Sequence, residues 1–316
     1  MRGGETMEGT AAVAWIGLGK LGLPMAARLA AAGERVVGHD RDQGRVALGV
    51  EAGLEIARTL ASASAGREVV FSCLPDDAVL RAVALGPAGV LASMEPGSVF
   101  VETSTVSPEA SAEVGREAVA AGIAYLRMPI SGNASIAHTG ALTCFASGPR
   151  EAFERVRPLA AAFTRAQTYL GDAEEARYAK LAVNLMIAVS AGMMAESLAL
   201  ARRGNIAWGD ILDVLSDSAV ASPMVKYKVG PLRERDFTST FSCRQMAKDL
   251  DLILGAGRSS EVPMPLAALT RQVYASLIAQ GEGEEDFIAT VRHVERLAGL
   301  GEPETDIQGG DDAQLR

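Results

Sequence analysis

The residues of this chain whose types and spacing bear on chemistry begin with a glycine turn. Gly17, Gly19 and Gly22 stand in G-x-G-x-x-G spacing within GLGKLG, at the end of the apolar run AAVAWIG. A turn of this kind cradles the diphosphate of a dinucleotide. The first glycine permits the tight turn, the second lets backbone approach the pyrophosphate, and the third lets the next helix pack against the strand. Three such glycines alone are a weak signal, and context decides. Here a strand precedes them, the helical segment PMAARLAAAG follows, and a second strand, RVVGHD, ends on Asp40, 18 positions after Gly22. Helix amides would hold the diphosphate and the Asp40 carboxylate the ribose hydroxyls. The turn residues Gly17, Leu18, Gly19, Lys20, Leu21 and Gly22 are therefore candidate cofactor contacts. Asp40 favours NAD because it repels a 2'-phosphate, whereas Arg41 could hold that phosphate or stack on adenine, so both NAD and NADP stay open.

Other polar groups lie further along. Lys180 and Asn184, four residues apart, share one face of a mostly apolar helical stretch. An amine and an amide there need something polar opposite them; the alternative is a helix-end lysine in solvent beside an amide bonded to backbone. A polar loop, Ser131 to Gly140, lies between apolar strands in residues 123–148. Its Ser131, Gly132 and Asn133 can offer a hydroxyl, a backbone amide and a side-chain amide to a carboxylate. His138 in that loop is an acid–base candidate, although a loop histidine is more often solvated. Two predicted strands, Glu68 to Cys73 and Ser98 to Glu102, run into Leu74-Pro75-Asp76 and Thr103-Ser104-Thr105. In an open parallel sheet ligands sit beyond the carboxyl ends of strands, so Leu74, Pro75, Ser104 and Thr105 are expected to line the cofactor; the alternative for Ser104 and Thr105 is that they merely terminate a strand. Lys248 and Asp249, in MAKDL, read on their own as a surface ion pair of little worth.

The elements that must position these groups fall into two patterns. Strand and helix alternate from Ala11 to Asp172; after Ala173 only helical segments follow, the longest running from Ala176 to Gly204. The fold class expected is an α/β Rossmann-type N-terminal domain with a parallel-rich sheet, followed by an all-α C-terminal domain. The organisation reads as a flexible leader over residues 1–10, a dinucleotide-binding domain over 11–172, an all-helical substrate or oligomerisation domain over 173–300, and a disordered tail over 301–316. Residues 218–237, with Pro223, Gly230 and Pro231, read as irregular.

Composition narrows the partners. The net charge of -9, with no basic tract, argues against nucleic acid. The first ten residues lack the apolar core of a signal peptide, and the uncharged span between Lys180 and Glu196 is too short for a bilayer, so no membrane is expected. Cys73, Cys144 and Cys243 lie far apart, without metal-ligand spacing, as reduced thiols of a cytoplasmic protein would. An apolar helical domain of this size suggests a homodimer or homotetramer.

Taken together, six segments in order resemble the beta-hydroxyacid dehydrogenase family over residues 11–298. GLGKLGLPMAARL is similar to the family's cofactor signature, CLPDD to its Leu-Pro turn, TSTVSPE to its Ser-Thr segment, MPISGNASIAHTGALT to its substrate loop, KLAVN to its catalytic-lysine segment and FSCRQMAKDL to its C-terminal lysine segment. The resemblance implies hydride transfer between a nicotinamide dinucleotide and a small anionic beta-hydroxyacid, or its semialdehyde, held between the two domains. It implies Lys180 as general acid/base, Asn184 as its substrate-positioning partner, Ser131 and Gly132 as the carboxylate site, and Lys248 as completing the site near the cofactor. The chemistry agrees. The alcohol must lose a hydroxyl proton as hydride leaves, and an ammonium with an ordinary pKa of about 10.4 stabilises the oxygen and exchanges that proton. Asn133 replaces the second glycine of the family's Ser-Gly-Gly, and Arg127-Met128 replaces its Asp-Ala; both departures are expected to reshape the substrate pocket. Two other readings are an imine reductase of the same fold, which typically lacks this lysine, and a non-catalytic dinucleotide-binding scaffold.

Overall fold

A computed structural model describes residues 13–303. The expected leader, and the expected tail after residue 303, lie outside the described residues. The chain divides into two compact units at the Leu181–Ala182 bond. The sequence pattern changes at residues 172–173, whereas this division falls inside the long helix that follows.

Unit 1 alternates strand and helix: β1 (Val13–Ile16), α1 (Gly22–Ala31), β2 (Val36–His39), α2 (Gln43–Glu51), β3 (Glu55–Ile56), α3 (Leu60–Ser64), β4 (Val69–Ser72), α4 (Asp77–Leu85), α5 (Val90–Ser93), β5 (Val99–Glu102), α6 (Pro108–Ala120), β6 (Ala124–Arg127), β7 (Ile130–Ser131), α7 (Ala134–His138), β8 (Leu142–Ser147), α8 (Arg150–Ala160) and β9 (Thr164–Gly171). The nine strands form one sheet in the order β3-β2-β1-β4-β5-β6-β8-β7, with β9 beside β8. Strands from β3 to β6 pair in parallel, and antiparallel pairing enters where β8 joins β6 and β7. Order reverses between β1 and β4, the switch point at which doubly wound folds bind ligands beyond the strand ends. Helices cover both faces, so β1, β4 and β5 are buried at every position, which is why VAWI, VVFS and VFVE read as continuous runs rather than alternating ones. On one face Trp15 stacks on Phe71 at 5.0 Å between centroids, with Phe163 edge-on to both. Burial pushes the Cys144 thiol up to about 12, so it packs as a small hydrophobe.

A single helix, α9 (Glu175–Arg203), begins in unit 1 and runs into unit 2. Among the described residues it is the one helix long and apolar enough to cross a membrane. Arg177, Lys180 and Asn184 are nonetheless buried in it, and three buried polar residues in its first half fit a core helix, not a lipid-facing one. Unit 2 continues with α10 (Trp208–Asp217), α11 (Pro223–Arg233), α12 (Cys243–Ser259), α13 (Pro265–Ala279), a 3-10 turn (Phe287–Ala289) and α14 (Thr290–Leu297).

Two local expectations need correction. Residues 218–237 are mostly helical, because Ser222 caps Val225 and Pro223 occupies the first turn, where a missing N–H costs nothing. The Ser131–Gly140 loop contains α7, started by Asn133, whose Oδ1 accepts from the Ile136 amide at 3.1 Å. The last strand, β9, pairs with β8 through two register shifts.

Candidate active site

The dinucleotide turn is built on two different demands. Gly17 has φ of +93°, and a Cβ there would overlap the Cys73 carbonyl oxygen; at Gly22 a Cβ would overlap the Gly17 carbonyl oxygen. Protein packing alone therefore requires those two glycines. Gly19 differs, since a Cβ there meets nothing within 4 Å and its φ is unremarkable. The space beside Gly19 is kept from side chains without being filled by protein, as close approach of a diphosphate requires. Helix α1 also starts without a side-chain cap and without an acidic residue in its first turn, which leaves its amides and dipole to an anion. The turn thus fits a dinucleotide diphosphate. Asp40 is anchored to it: Oδ2 accepts from the Leu18 amide at 2.7 Å and Oδ1 from the Asp42 amide at 2.9 Å. Each oxygen keeps a second lone pair for a ribose hydroxyl. Arg41 is exposed.

This contrast makes a paired prediction. Gly22→Ala should destabilise unit 1 by about 1–3 kcal/mol, as overpacking does, and abolish dinucleotide binding. Gly19→Ala should keep its melting temperature and still weaken dinucleotide binding by at least about tenfold, near 1.4 kcal/mol. Calorimetric titration beside thermal melting reads both, and wild-type affinity in Gly19→Ala would remove the diphosphate from that position.

At the strand ends the structure distinguishes residues that the sequence left together. Ser104 is 4% exposed and its Oγ accepts from the Leu74 amide at 2.6 Å. Ser104 thus braces the Leu74-Pro75 turn against the end of β5, which supports the strand-terminating reading for this hydroxyl. Leu74 and Thr105 are half-buried and Pro75 is exposed.

In the loop after β7, Gly132 has φ of +137° and a Cβ would meet Leu142 Cδ2 at 2.6 Å. That position is closed to side chains. Capping α7 occupies Asn133 Oδ1 and leaves Nδ2 as the donor. His138 is exposed at the end of α7. Arg127 and Met128 both lie in the interior of unit 1. Met128 is fully buried in the core beside the sheet, and Arg127 Nε donates to Glu174 Oε1 at 2.7 Å.

Lys180 is 7% exposed, which excludes the solvated helix-end reading. One turn earlier lies Arg177, which the sequence reading missed. Its Nη2 pairs with Glu102 Oε2 and donates to the Tyr125 hydroxyl at 3.3 Å; Nη1 donates to the Ser104 carbonyl at 2.8 Å and Nε to Ser111 Oγ at 3.1 Å. Both members of the Arg177–Glu102 pair are buried. Burial works against the Arg177 charge, but the Glu102 carboxylate outweighs it and the guanidinium stays firmly protonated. Burial also pushes the Tyr125 phenol up to about 12, so it remains a neutral hydroxyl. The available signal was Glu102 itself, an acid closing an otherwise apolar strand.

Within unit 2, Asn184 is 5% exposed and its Nδ2 donates to Asp249 Oδ2 at 2.6 Å. Lys248 Nζ lies 2.8 Å from Asp249 Oδ1. Asp249 is 1% exposed, so Lys248–Asp249 is not the surface pair its sequence suggested. A buried carboxylate holds the Asn184 amide and the Lys248 ammonium together.

Comparison with known proteins adds the following. The family model described as the NAD binding domain of 6-phosphogluconate dehydrogenase matches residues 12–171, and that described as NAD-binding of NADP-dependent 3-hydroxyisobutyrate dehydrogenase matches residues 175–294. The NAD-dependent L-serine dehydrogenase of Pseudomonas aeruginosa is 32% identical over 87% of this chain and 95% of its own. The 2-(hydroxymethyl)glutarate dehydrogenase of Eubacterium barkeri is 28% identical over 93% of this chain and 98% of its own. The solved structure of Mycobacterium tuberculosis 3-hydroxyisobutyrate dehydrogenase with L-serine superposes with a TM-score of 0.82 at 26% identity, covering 90% of this chain and 99% of that one. A diphosphate turn that packing alone does not explain, a buried lysine in the same unit and these full-length matches converge: the chain belongs to the beta-hydroxyacid dehydrogenases related to 3-hydroxyisobutyrate dehydrogenase, which are NAD(P)-dependent oxidoreductases.

Proposed function

We propose that this enzyme interconverts a primary alcohol of the form HOCH2–CH(R)–COO⁻ and its semialdehyde, with Lys180 as general acid/base. The observation that carries the reading is the burial of Lys180 in the unit that holds the dinucleotide turn. The substrates named for the three relatives, L-serine, 2-(hydroxymethyl)glutarate and 3-hydroxyisobutyrate, share that skeleton and differ only in R. What they have in common is a hydroxymethyl group one carbon from a carboxylate.

The bound nicotinamide supplies the hydride acceptor, or the donor in reverse. The neutral Lys180 amine takes the hydroxyl proton during oxidation, and the ammonium returns it to the carbonyl oxygen during reduction. The Ser131 hydroxyl, the Gly132 amide and Asn133 Nδ2 are donors suited to the carboxylate. In unit 2, Asn184 and Lys248 serve as substrate- and cofactor-side contacts, set by Asp249. The anchored Asp40 supports NAD as the preferred dinucleotide. A turnover screen of 3-hydroxy acids and semialdehydes with both NAD and NADP, read by nicotinamide absorbance, tests the reading. Cyclic imines belong in the same screen, because preferential imine reduction would install the imine reductase reading. Tight dinucleotide binding without turnover of any acid would install the scaffold.

Homo-oligomerisation in the cytoplasm completes the proposal. Met186, Met193 and Leu200 are 73%, 57% and 75% exposed at seven-residue intervals along α9. A stripe with that period is suited to a second copy of the same helix. Met193→Glu should shift the protein toward monomer in light scattering, whereas a wild-type protein that is already monomeric would refute the assembly.

A further inference from the structure

The first turn of α9 is held by an exchange of charges that hydrophobic docking would not need. Glu102 and Arg127 are register partners on adjacent strands β5 and β6, and opposite charges so placed commonly pair with each other. Here neither does. Glu102 pairs with Arg177, and Arg127 pairs with Glu174. Glu174 and Arg177 are three residues apart at the start of α9, so they too are suited to each other and are drawn instead to the sheet. Tyr125 stands among the four: its ring centroid lies 4.7 Å from the Arg127 guanidinium carbon, and its hydroxyl accepts from Arg177.

A buried pair such as Glu102–Arg177 adds little net stability relative to apolar side chains of similar volume. What it adds is geometry. The planar guanidinium of Arg177 has three partners besides Glu102, namely the Ser104 carbonyl, Ser111 Oγ and the Tyr125 hydroxyl, and a rigid fork fixes direction as well as distance. Three residues further along the helix, and so about 60° around its axis from Arg177, lies Lys180. A helix docked by apolar contact alone is free to settle by small rotations and slides; one clasped at two adjacent strand ends is not.

We propose that the reciprocal pairs Glu102–Arg177 and Arg127–Glu174 are positioning residues that fix the rotation and axial setting of the α9 turn bearing Lys180. The inference rests on the reading of Lys180 as general acid/base. Arg177→Lys keeps a cation for Glu102 but loses the fork; it should lower kcat about 100-fold, the scale of an ångström-sized misplacement. The KM for the hydroxy acid and the dinucleotide affinity should stay within about threefold. The pH profile of kcat should move, because Lys180 would titrate in altered surroundings, and Arg177→Met should fall below Arg177→Lys. A lower melting temperature with unchanged kcat and pH profile per folded molecule would overturn the proposal, since that is what a purely structural clasp predicts. Should Arg177→Lys fail to fold, Glu174→Gln at the pair whose side chains are 11% and 15% exposed carries the same test, with kcat about tenfold lower and the same displaced pH profile. Lys180→Ala separates the two claims. If it retains turnover, the reading of Lys180 fails; if it is inactive while Arg177→Lys and Glu174→Gln match wild type, only the clasp fails.

Discussion

Lys180→Ala is expected to lower kcat by about 10³-fold or more, the scale of a general acid/base that also stabilises the developing charge on oxygen. Dinucleotide affinity should remain within about twofold, because the Gly17–Gly22 turn and the anchored Asp40 do not depend on the lysine. Lys180→Arg should be nearly as inactive, as an arginine stays protonated and cannot accept the hydroxyl proton. Steady-state kinetics beside a dinucleotide titration reads each of these, and turnover near wild type in Lys180→Ala would remove the residue from the chemistry.

The largest loss of stability is expected at Asp286, in the interior of unit 2. Its Oδ1 accepts from Lys228 Nζ at 2.7 Å and from the Ile288 amide at 3.1 Å; its Oδ2 accepts from the Thr240 amide at 3.0 Å and Thr240 Oγ1 at 2.9 Å. Lys228 and Asp286 are both buried, and the ammonium also lies 4.7 Å from the Phe287 ring centroid. Asp286→Ala strands the Lys228 charge and unpairs the other donors at once, so a loss of about 3–5 kcal/mol is predicted. Adding Lys228→Met should recover part of it by removing the stranded charge. The Thr240 and Ile288 donors would still lack their partner, so recovery stays incomplete. Urea unfolding measures both variants through a lowered midpoint at an unchanged slope. A loss below about 1 kcal/mol would show that water reaches this network.

What could be read without coordinates follows from how each feature is encoded. The glycine turn, the strand runs ending at Asp40 and Glu102, and the long helix are local patterns, and the parallel-rich sheet those patterns imply is the one found. The separate roles of the three glycines were also legible, and the structure sharpens them by showing that Gly19 alone meets no protein atom. Burial of Lys180 and Asn184 was only half legible, since an amine near a helix start is as well suited to water as to a site. The pairing of Glu102 with Arg177 and of Arg127 with Glu174 joins residues far apart in the chain and leaves no period to detect. Asp249 was misread for a related reason: its neighbour in sequence, Lys248, suggested a surface pair, while its burial is set by tertiary packing. The short helix α7 was hidden because Ser, Gly and Asn mark both loops and helix starts. Asn133 turned out to be the start signal.

The central claim is tested most directly by comparing turnover of a 3-hydroxy acid bearing a primary hydroxyl, a 2-hydroxy acid and a cyclic imine, each with its dinucleotide, by nicotinamide absorbance. The account predicts turnover of the HOCH2–CH(R)–COO⁻ acids by the wild type, little with the other two classes, and loss of that turnover in Lys180→Ala. Preference for the 2-hydroxy acid or the imine, or 3-hydroxy acid turnover that survives Lys180→Ala, would contradict it.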